Sequence, residues 1–334
     1  SSIAAADFNK DGLLDVFVGQ RVKGENYGLP GNGYLMYNSL KNGLALEQKD
    51  IFSNIGMITD VQAIDLNNDS WDDIILLGHW MGIKVFINNK GIFTDQSEKY
   101  NLNKTVGLWN DIELEDIDKD GDVDVLAGNL GLNTYFNKGD RIYINDFDKN
   151  GMIEQIICHK IDNKFYPIVD RDELISQLPY LKKKFVRFNQ YASASIEDIF
   201  DSSQLKNSLV YEIDQLASVW MENKNGKFIT HQLPAQAQYS SVYTIKVLDV
   251  NKDQINDIVL GGNQYKVKPQ FGRNDASKGL LIYGDINQDV YKLEKVSSIE
   301  IDGQIRKLEV LKKENETILI AAVNNEKVKF KKIN

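Results

Sequence analysis

Oxygen-bearing side chains recur at a fixed spacing in this sequence. The densest case is Asp116-Ile117-Asp118-Lys119-Asp120-Gly121-Asp122-Val123-Asp124, with side-chain oxygens at positions 1, 3 and 5, glycine at 6 and a carboxylate at 9. That spacing suits a hard divalent cation. Calcium takes roughly six to eight oxygens, and a tight loop can aim alternate side chains at one centre while a backbone carbonyl at position 7 fills in. Glycine permits a φ that other residues resist.

The same nine-residue pattern occurs four more times: Asp7, Asn9, Asp11 and Asp15; Asp65, Asn67, Asp69 and Asp73; Asp146, Asp148, Asn150 and Glu154; and Asp249, Asn251, Asp253 and Asp257. Position 6 is Gly12 and Gly151 in two of these, but Ser70 and Gln254 in the other two. Up to five Ca²⁺ are therefore expected, with the loops at 65–73 and 249–257 the weakest. Asp and Asn also favour turns that hold no metal. Turn preference alone does not explain a ninth-position acid shared by all five. An EF-hand needs Glu at position 12, where these loops have Val18, Leu76, Ala127, Ile157 and Leu260.

Each loop is flanked by apolar, strand-like segments, so it reads as a hairpin whose turn is the metal site. Further short strands follow, such as Tyr34-Leu35-Met36-Tyr37 and Val85-Phe86-Ile87. About four strands per roughly 40 to 60 residues is the pattern of β-propeller blades. Hairpins are counted from Ile3, Val61, Ile112, Arg141, Val242 and Ile305. The expectation is an all-β chain: a single propeller over 1–334, six recognisable blades in a ring of six or seven, within a longer protein. Leu174, Ile175, Leu178 and Leu181 fall at helical spacing, which predicts a helical insertion over 170–207 between strands 2 and 3 of blade four.

The chain has 334 residues and a net charge of −9. Sixteen carboxylates lie at ligand positions, so five bound Ca²⁺ would shift the balance to +1. An acidic chain argues against nucleic acid, which needs a basic face. No apolar run approaches a membrane-spanning length. Cys158 is the single cysteine, which excludes an intrachain disulfide.

The acidic loop followed by an apolar strand ending in glycine resembles the FG-GAP (VCBS) repeat, the calcium-loop blade of the integrin α-chain propeller and of many bacterial surface proteins. Gly128-Asn129-Leu130-Gly131-Leu132-Asn133, Tyr143-Ile144-Asn145-Asp146-Phe147-Asp148 and 272–281 are similar to the carboxy-terminal part of large bacterial FG-GAP proteins described together with ASPIC/UnbV domains. The resemblance implies calcium ligands at the four side-chain positions of each loop. It adds the seventh-position carbonyls of Leu13, Trp71, Asp122, Met152 and Ile255. It also implies an extracellular or outer-membrane location in a bacterium.

In four-stranded blades the calcium turns share one face and the longer loops share the other. The long-loop face would collect Arg21, Tyr27, His79, Trp80, Trp109, Asn110, Tyr239, Tyr265, Arg273 and Asp275. Aromatics beside amides and arginine suit sugar rings or protein hot spots. Trp80 and Trp109 are equally suited to fill the axial channel or pad the packing. The leading expectation is a non-enzymatic binding module for a glycan or protein, with no catalytic residues assigned. A lyase or hydrolase using Arg21, His79, Tyr239, Tyr265, Arg273 and Asp275 is the alternative, and a structural subunit of an outer-membrane complex is a third. His79, His159 and His231 lack metal-ligand spacing and read as structural.

Overall fold

The computed structural model describes residues 2–47, 49–287, 290–313 and 316–333. The chain is mostly β, and the strands of the described residues form six antiparallel sheets. Alternation of buried and exposed residues along the strands sets their faces. In Asp15–Gly19, for example, Phe17 turns into the core while Val16 and Val18 are only partly covered. That is the period-2 rule of a pleated strand.

Four sheets hold one acidic hairpin each and run outward from a first strand. The first sheet is Ser2–Ala6, Asp15–Gly19, Gly33–Tyr37 and Ala45–Glu47. The second is Met57–Ile64, Asp73–Met81, Lys84–Asn89 and Ile92–Asp95, with Gly107–Leu108 pairing back onto Asp73–Met81. The third starts with Asp111–Glu115 and Asp124–Gly128, and another with Val242–Leu248, Asp257–Gly262, Leu280–Asn287 and Val290–Ser298. A last sheet has three strands, Ile305–Lys313, Glu316–Val323 and Lys329–Lys332. The first strands lie against one another in chain order: Ser2–Ala6, Met57–Ile64, Asp111–Glu115, Val242–Leu248 and Ile305–Lys313.

Side chains tie this series together. Asp60 Oδ2 accepts the N–H of Ile112 at 3.1 Å, Asp111 Oδ2 that of Ile245 at 2.7 Å, and Thr244 Oγ1 that of Leu308 at 3.1 Å. Each of the three donors sits on the first strand of the following sheet. An amide left there without a partner would be costly to bury.

The fourth acidic hairpin departs from the expected plan. Its strands, Arg141–Asn145, Glu154–Ile161, Lys164–Pro167 and Leu209–Glu212, form a sheet of their own outside the series. The sheet order places Leu209–Glu212 beside Arg141–Asn145. The helical stretch, with helices at Arg171–Gln177, Phe188–Ala192, Ile196–Ile199 and Ser202–Lys206, therefore joins the third strand to the fourth, not the second to the third. Its apolar residues Leu174, Leu178, Leu181, Ile196 and Ile199 pack with Phe147, Ile156 and Phe165 of that sheet region.

Val219–Asn223 and Phe228–Gln232 complete the third sheet rather than the fourth. Val125 pairs with Met221, Leu126 with Trp220 and Ala127 with Val219. The sheet at 141–212, with its helices, is thus an excursion within the third sheet. Ile142, Ile144, Ile213 and Leu216 pack with Met57, Trp80, Leu108 and Leu130, so the excursion covers part of the long-loop face.

Candidate functional site

The five acidic loops share one backbone path. Position 4 takes a left-handed φ between 58° and 64° at Lys10, Asn68, Lys119, Lys149 and Lys252. Position 6 does the same at Gly12, Gly121 and Gly151, and also at Ser70 (φ 71°) and Gln254 (φ 70°). Ser70 and Gln254 therefore adopt the glycine-like conformation instead of breaking the loop, a conformation that costs a side-chain-bearing residue about 1–2 kcal/mol.

Backbone amides converge on the same carboxylates in each loop. Asp7 accepts from Asp11 and Gly12, Asp65 from Asp69 and Ser70, Asp146 from Asn150 and Gly151, and Asp249 from Asp253 and Gln254. The ninth-position acids reach back to position 2: Asp15 to Phe8, Asp73 to Leu66, Asp124 to Ile117, Glu154 to Phe147 and Asp257 to Val250. Four of them also clamp the third strand or the residue that follows it, through the N–H groups of Asn38, Asn88, Asn223 and Gly284. Among the described residues no such second clamp is made by Glu154, in the loop that lies outside the series.

The loop at 116–124 differs from the others. Gly121 still donates to Asp116 Oδ2 at 3.1 Å. The other oxygen, Asp116 Oδ1, is buried with no hydrogen-bond partner, as is Asp122 Oδ1. In the four other loops the equivalent first-position oxygen accepts the amide of position 5. Asp116, Asp118 and Asp120 can bring one oxygen each within 4.8 Å of one another, and so can Asp146, Asp148 and Glu154. Burial, with neighbouring carboxylates adding to it, pushes Asp122 up to about 6; burial pushes Asp124 and Asp73 to about 7. Asp15, Asp118, Glu154 and Asp257 rise for the same leading reason. Buried carboxylates with orphaned oxygens are the donor set a hard cation requires, and a cation would offset their repulsion.

The residues expected on the long-loop face separate into distinct groups. Tyr27, His79, Trp80 and Asn110 form one polar chain beneath the excursion. Trp80 Nε1 donates to the Tyr27 hydroxyl at 3.1 Å, that hydroxyl contacts His79 Nδ1 at 3.2 Å, and His79 Nε2 contacts Asn110 Oδ1 at 3.2 Å. Burial, then the nearby Arg21 charge, pulls His79 down to about 4, so the ring is neutral. Burial pushes Tyr27 up to about 12. Trp109 is wholly buried, its Nε1 donating to the Thr105 carbonyl at 2.8 Å. Both tryptophans thus pad the packing and offer no open ring face.

Tyr265, Arg273 and Asp275 make a second group. The Arg273 guanidinium lies 3.7 Å from the Tyr265 ring centre, and its Nε meets Asp275 at 3.1 Å. Tyr239 is half-exposed in a separate hollow with Leu132, Ala235 and Gln238. Among the described residues, no hydrogen bond or ion pair joins His79 or Tyr239 to Tyr265, Arg273 or Asp275.

A cleft of about 390 Å³ opens at the edge of the excursion. Its walls are Leu130, Tyr135, Phe136 and Phe271, and its polar lining includes Ser241, Gln264, Arg273 and Asn274. Tyr135 stacks on Phe271 with ring centres 4.4 Å apart. Of the ten residues expected on the long-loop face, Arg273 alone lines it; Leu130, Asn133, Gly272 and Asn274 come from the stretches 128–133 and 272–281. Tyr135 and Phe136 follow the 129–133 loop directly, but nothing local indicates that they face the 264–274 segment. That juxtaposition depends on where the excursion folds back.

Comparison with protein-family models matches the FG-GAP-like repeat at residues 7–76 and 65–127. A search of curated proteins gave no match. The matched stretches span the first three acidic loops. Over residues 7–127 the chain is therefore built of FG-GAP-like repeats, consistent with an FG-GAP repeat protein.

Proposed function

We propose that this chain is a calcium-braced binding module whose serial sheets are propeller blades, and that it works at the surface of a bacterial cell. Calcium at the five loops would hold one face rigid, and the opposite face would present the cleft beside Arg273 to a ligand. The observation that carries the calcium part is the buried, unpartnered Oδ1 of Asp116, whose equivalent in the four other loops accepts a backbone amide. Asp116, Asp118, Asp120 and Asp124, with the Asp122 carbonyl, would hold the ion there. The equivalent residues of the other loops would do so with fewer charges. The cation's chemistry is structural: it offsets carboxylate repulsion that otherwise opposes folding.

Binding is favoured over catalysis by geometry. The acid, base and charge-stabilising group of a hydrolytic or lyase site should meet within hydrogen-bond reach. Here His79 is neutral, with both ring nitrogens engaged, and Arg273 and Asp275 pair with each other. No helix is long and apolar enough to cross a membrane among the described residues. The test is calorimetry: the protein should melt at a higher temperature with calcium than in excess chelator. Identical melts would remove the calcium reading.

A further inference from the structure

We propose that the cleft at the edge of the excursion takes a carboxylate-bearing sugar, a uronic acid residue of an acidic glycan. The inference rests on the binding-module reading above and specifies its ligand.

The first reason is the orientation of Asn274. Its Oδ1 accepts the backbone N–H of Ser241 at 3.0 Å and the hydroxyl of Ser240. A backbone N–H can only donate, so the amide is fixed with its oxygen consumed, and the atom left over is the Nδ2 donor. Gln264 Oε1 accepts from the Tyr243 hydroxyl at 3.1 Å, and in that orientation its Nε2 is the atom left over. Arg273 gives only Nε to Asp275, so Nη1 and Nη2 stay available.

The second reason is an unmet polar group. Ser241 lines the cleft and is 1% exposed, and its Oγ has no hydrogen-bond partner. A buried hydroxyl without a partner costs free energy unless a ligand or water satisfies it.

The third reason is charge. The protein carries a net −9, yet among the described residues no carboxylate side chain lines this cleft. Two amide donors, a hydroxyl and a guanidinium meet there, and the acid nearest to them, Asp275, lies outside the lining on the Nε side of Arg273. Such a set matches a carboxylate, which only accepts. Leu130, Phe136, Val267 and Phe271 give apolar walls, and Asn133 and Thr134 add further polar groups at the side. The cleft lies at the small end of ligand pockets, which run roughly 300–1,000 Å³. A sugar ring supplies apolar C–H surface for those walls, with a carboxylate at one corner and hydroxyls for the rest. A compact cleft of this kind favours one ring over an extended peptide.

The test titrates the calcium-loaded chain with galacturonate and glucuronate oligosaccharides, their methyl esters and the neutral galactose and glucose oligosaccharides. The acids should bind at least tenfold more tightly than their esters, and added salt should weaken the acids selectively. Asn274→Asp keeps the oxygen that holds Ser241 N–H and replaces the donor with an anion. It should weaken the acids at least tenfold more than it weakens their esters, because only the acids meet the new anion as a like charge. Gln264→Glu should act in the same direction, and an unchanged melting temperature shows that each variant is folded. Equal binding of acids, esters and neutral sugars overturns the acidic-sugar inference while leaving the binding module intact. Binding confined to a peptide with a free terminal carboxylate, and sensitive to Asn274→Asp, overturns the sugar. If no probe binds the cleft, the inference falls together with the cleft's role in the module.

Discussion

Thr244 Oγ1 accepts the backbone N–H of Leu308 at 3.1 Å, and both residues are fully buried. The bond joins the first strands of two adjacent sheets, repeating what Asp60 does for Ile112 and Asp111 for Ile245. Thr244→Val keeps the shape and removes the acceptor. It should destabilise the protein by about 1–3 kcal/mol, because the Leu308 amide is left buried and unpaired. Denaturant unfolding measures this; an unchanged midpoint would mean the bond does not hold the sheets together.

His79 predicts a pH dependence. Its ordinary value of 6.5 falls to about 4 in the folded chain, chiefly through burial and then through Arg21. The folded state therefore prefers the neutral ring. The associated stability is fully present above pH 6.5 and is lost as pH falls towards 4. The loss is at most about 3.5 kcal/mol, at ~1.4 kcal/mol per pH decade. His79→Gln should flatten this part of the stability profile. A variant that tracks the parent across that window would show that His79 is not the group responsible.

Removing one charge from the strongest loop should weaken calcium stabilisation. A ligand at a hundred times its dissociation constant stabilises by about 2.7 kcal/mol. Asp116→Asn should lose a larger share of the calcium-induced rise in melting temperature than Asp249→Asn. The reason is that Asp116 has a buried, unpartnered oxygen, whereas both Asp249 oxygens accept backbone amides. Equal losses in scanning calorimetry would contradict the ranking of the loops.

Ser70 and Gln254 hold a left-handed backbone without being glycine. Ser70→Gly and Gln254→Gly should each stabilise the chain by about 0.5–1 kcal/mol, as relief of backbone strain outweighs the added freedom of the unfolded chain. Gly121→Ala, at φ 100°, should do the reverse by a similar amount. The midpoints of chemical unfolding with and without calcium check the sign in each case.

The sequence by itself determined the five acidic hairpins. The oxygens at positions 1, 3, 5 and 9 and the turn at 6 act within nine residues, where chain geometry leaves few choices. The flanking period-2 strands are local in the same sense: Glu113 pairs with Leu126 and Val61 with Leu76 across tight turns. The helical tendency of Leu174 to Leu181 was also legible, since it needs only neighbouring residues.

Tertiary structure alone decided which strand follows the hairpin at 111–128. Both Arg141–Asn145 and Val219–Asn223 are short apolar strands suited to that edge. The ladder from Leu126 to Trp220 spans more than ninety residues, and what favours it is packing: Val219 and Met221 join Val125, Ala127 and Trp109 in one core. Strand pairing over such distances is set by which faces bury together, not by local preference. The same choice throws the sheet at 141–212 out of the series and over Trp80. It thereby turned an expected open aromatic surface into a packed one and set Tyr135 and Phe271 against each other beside Arg273.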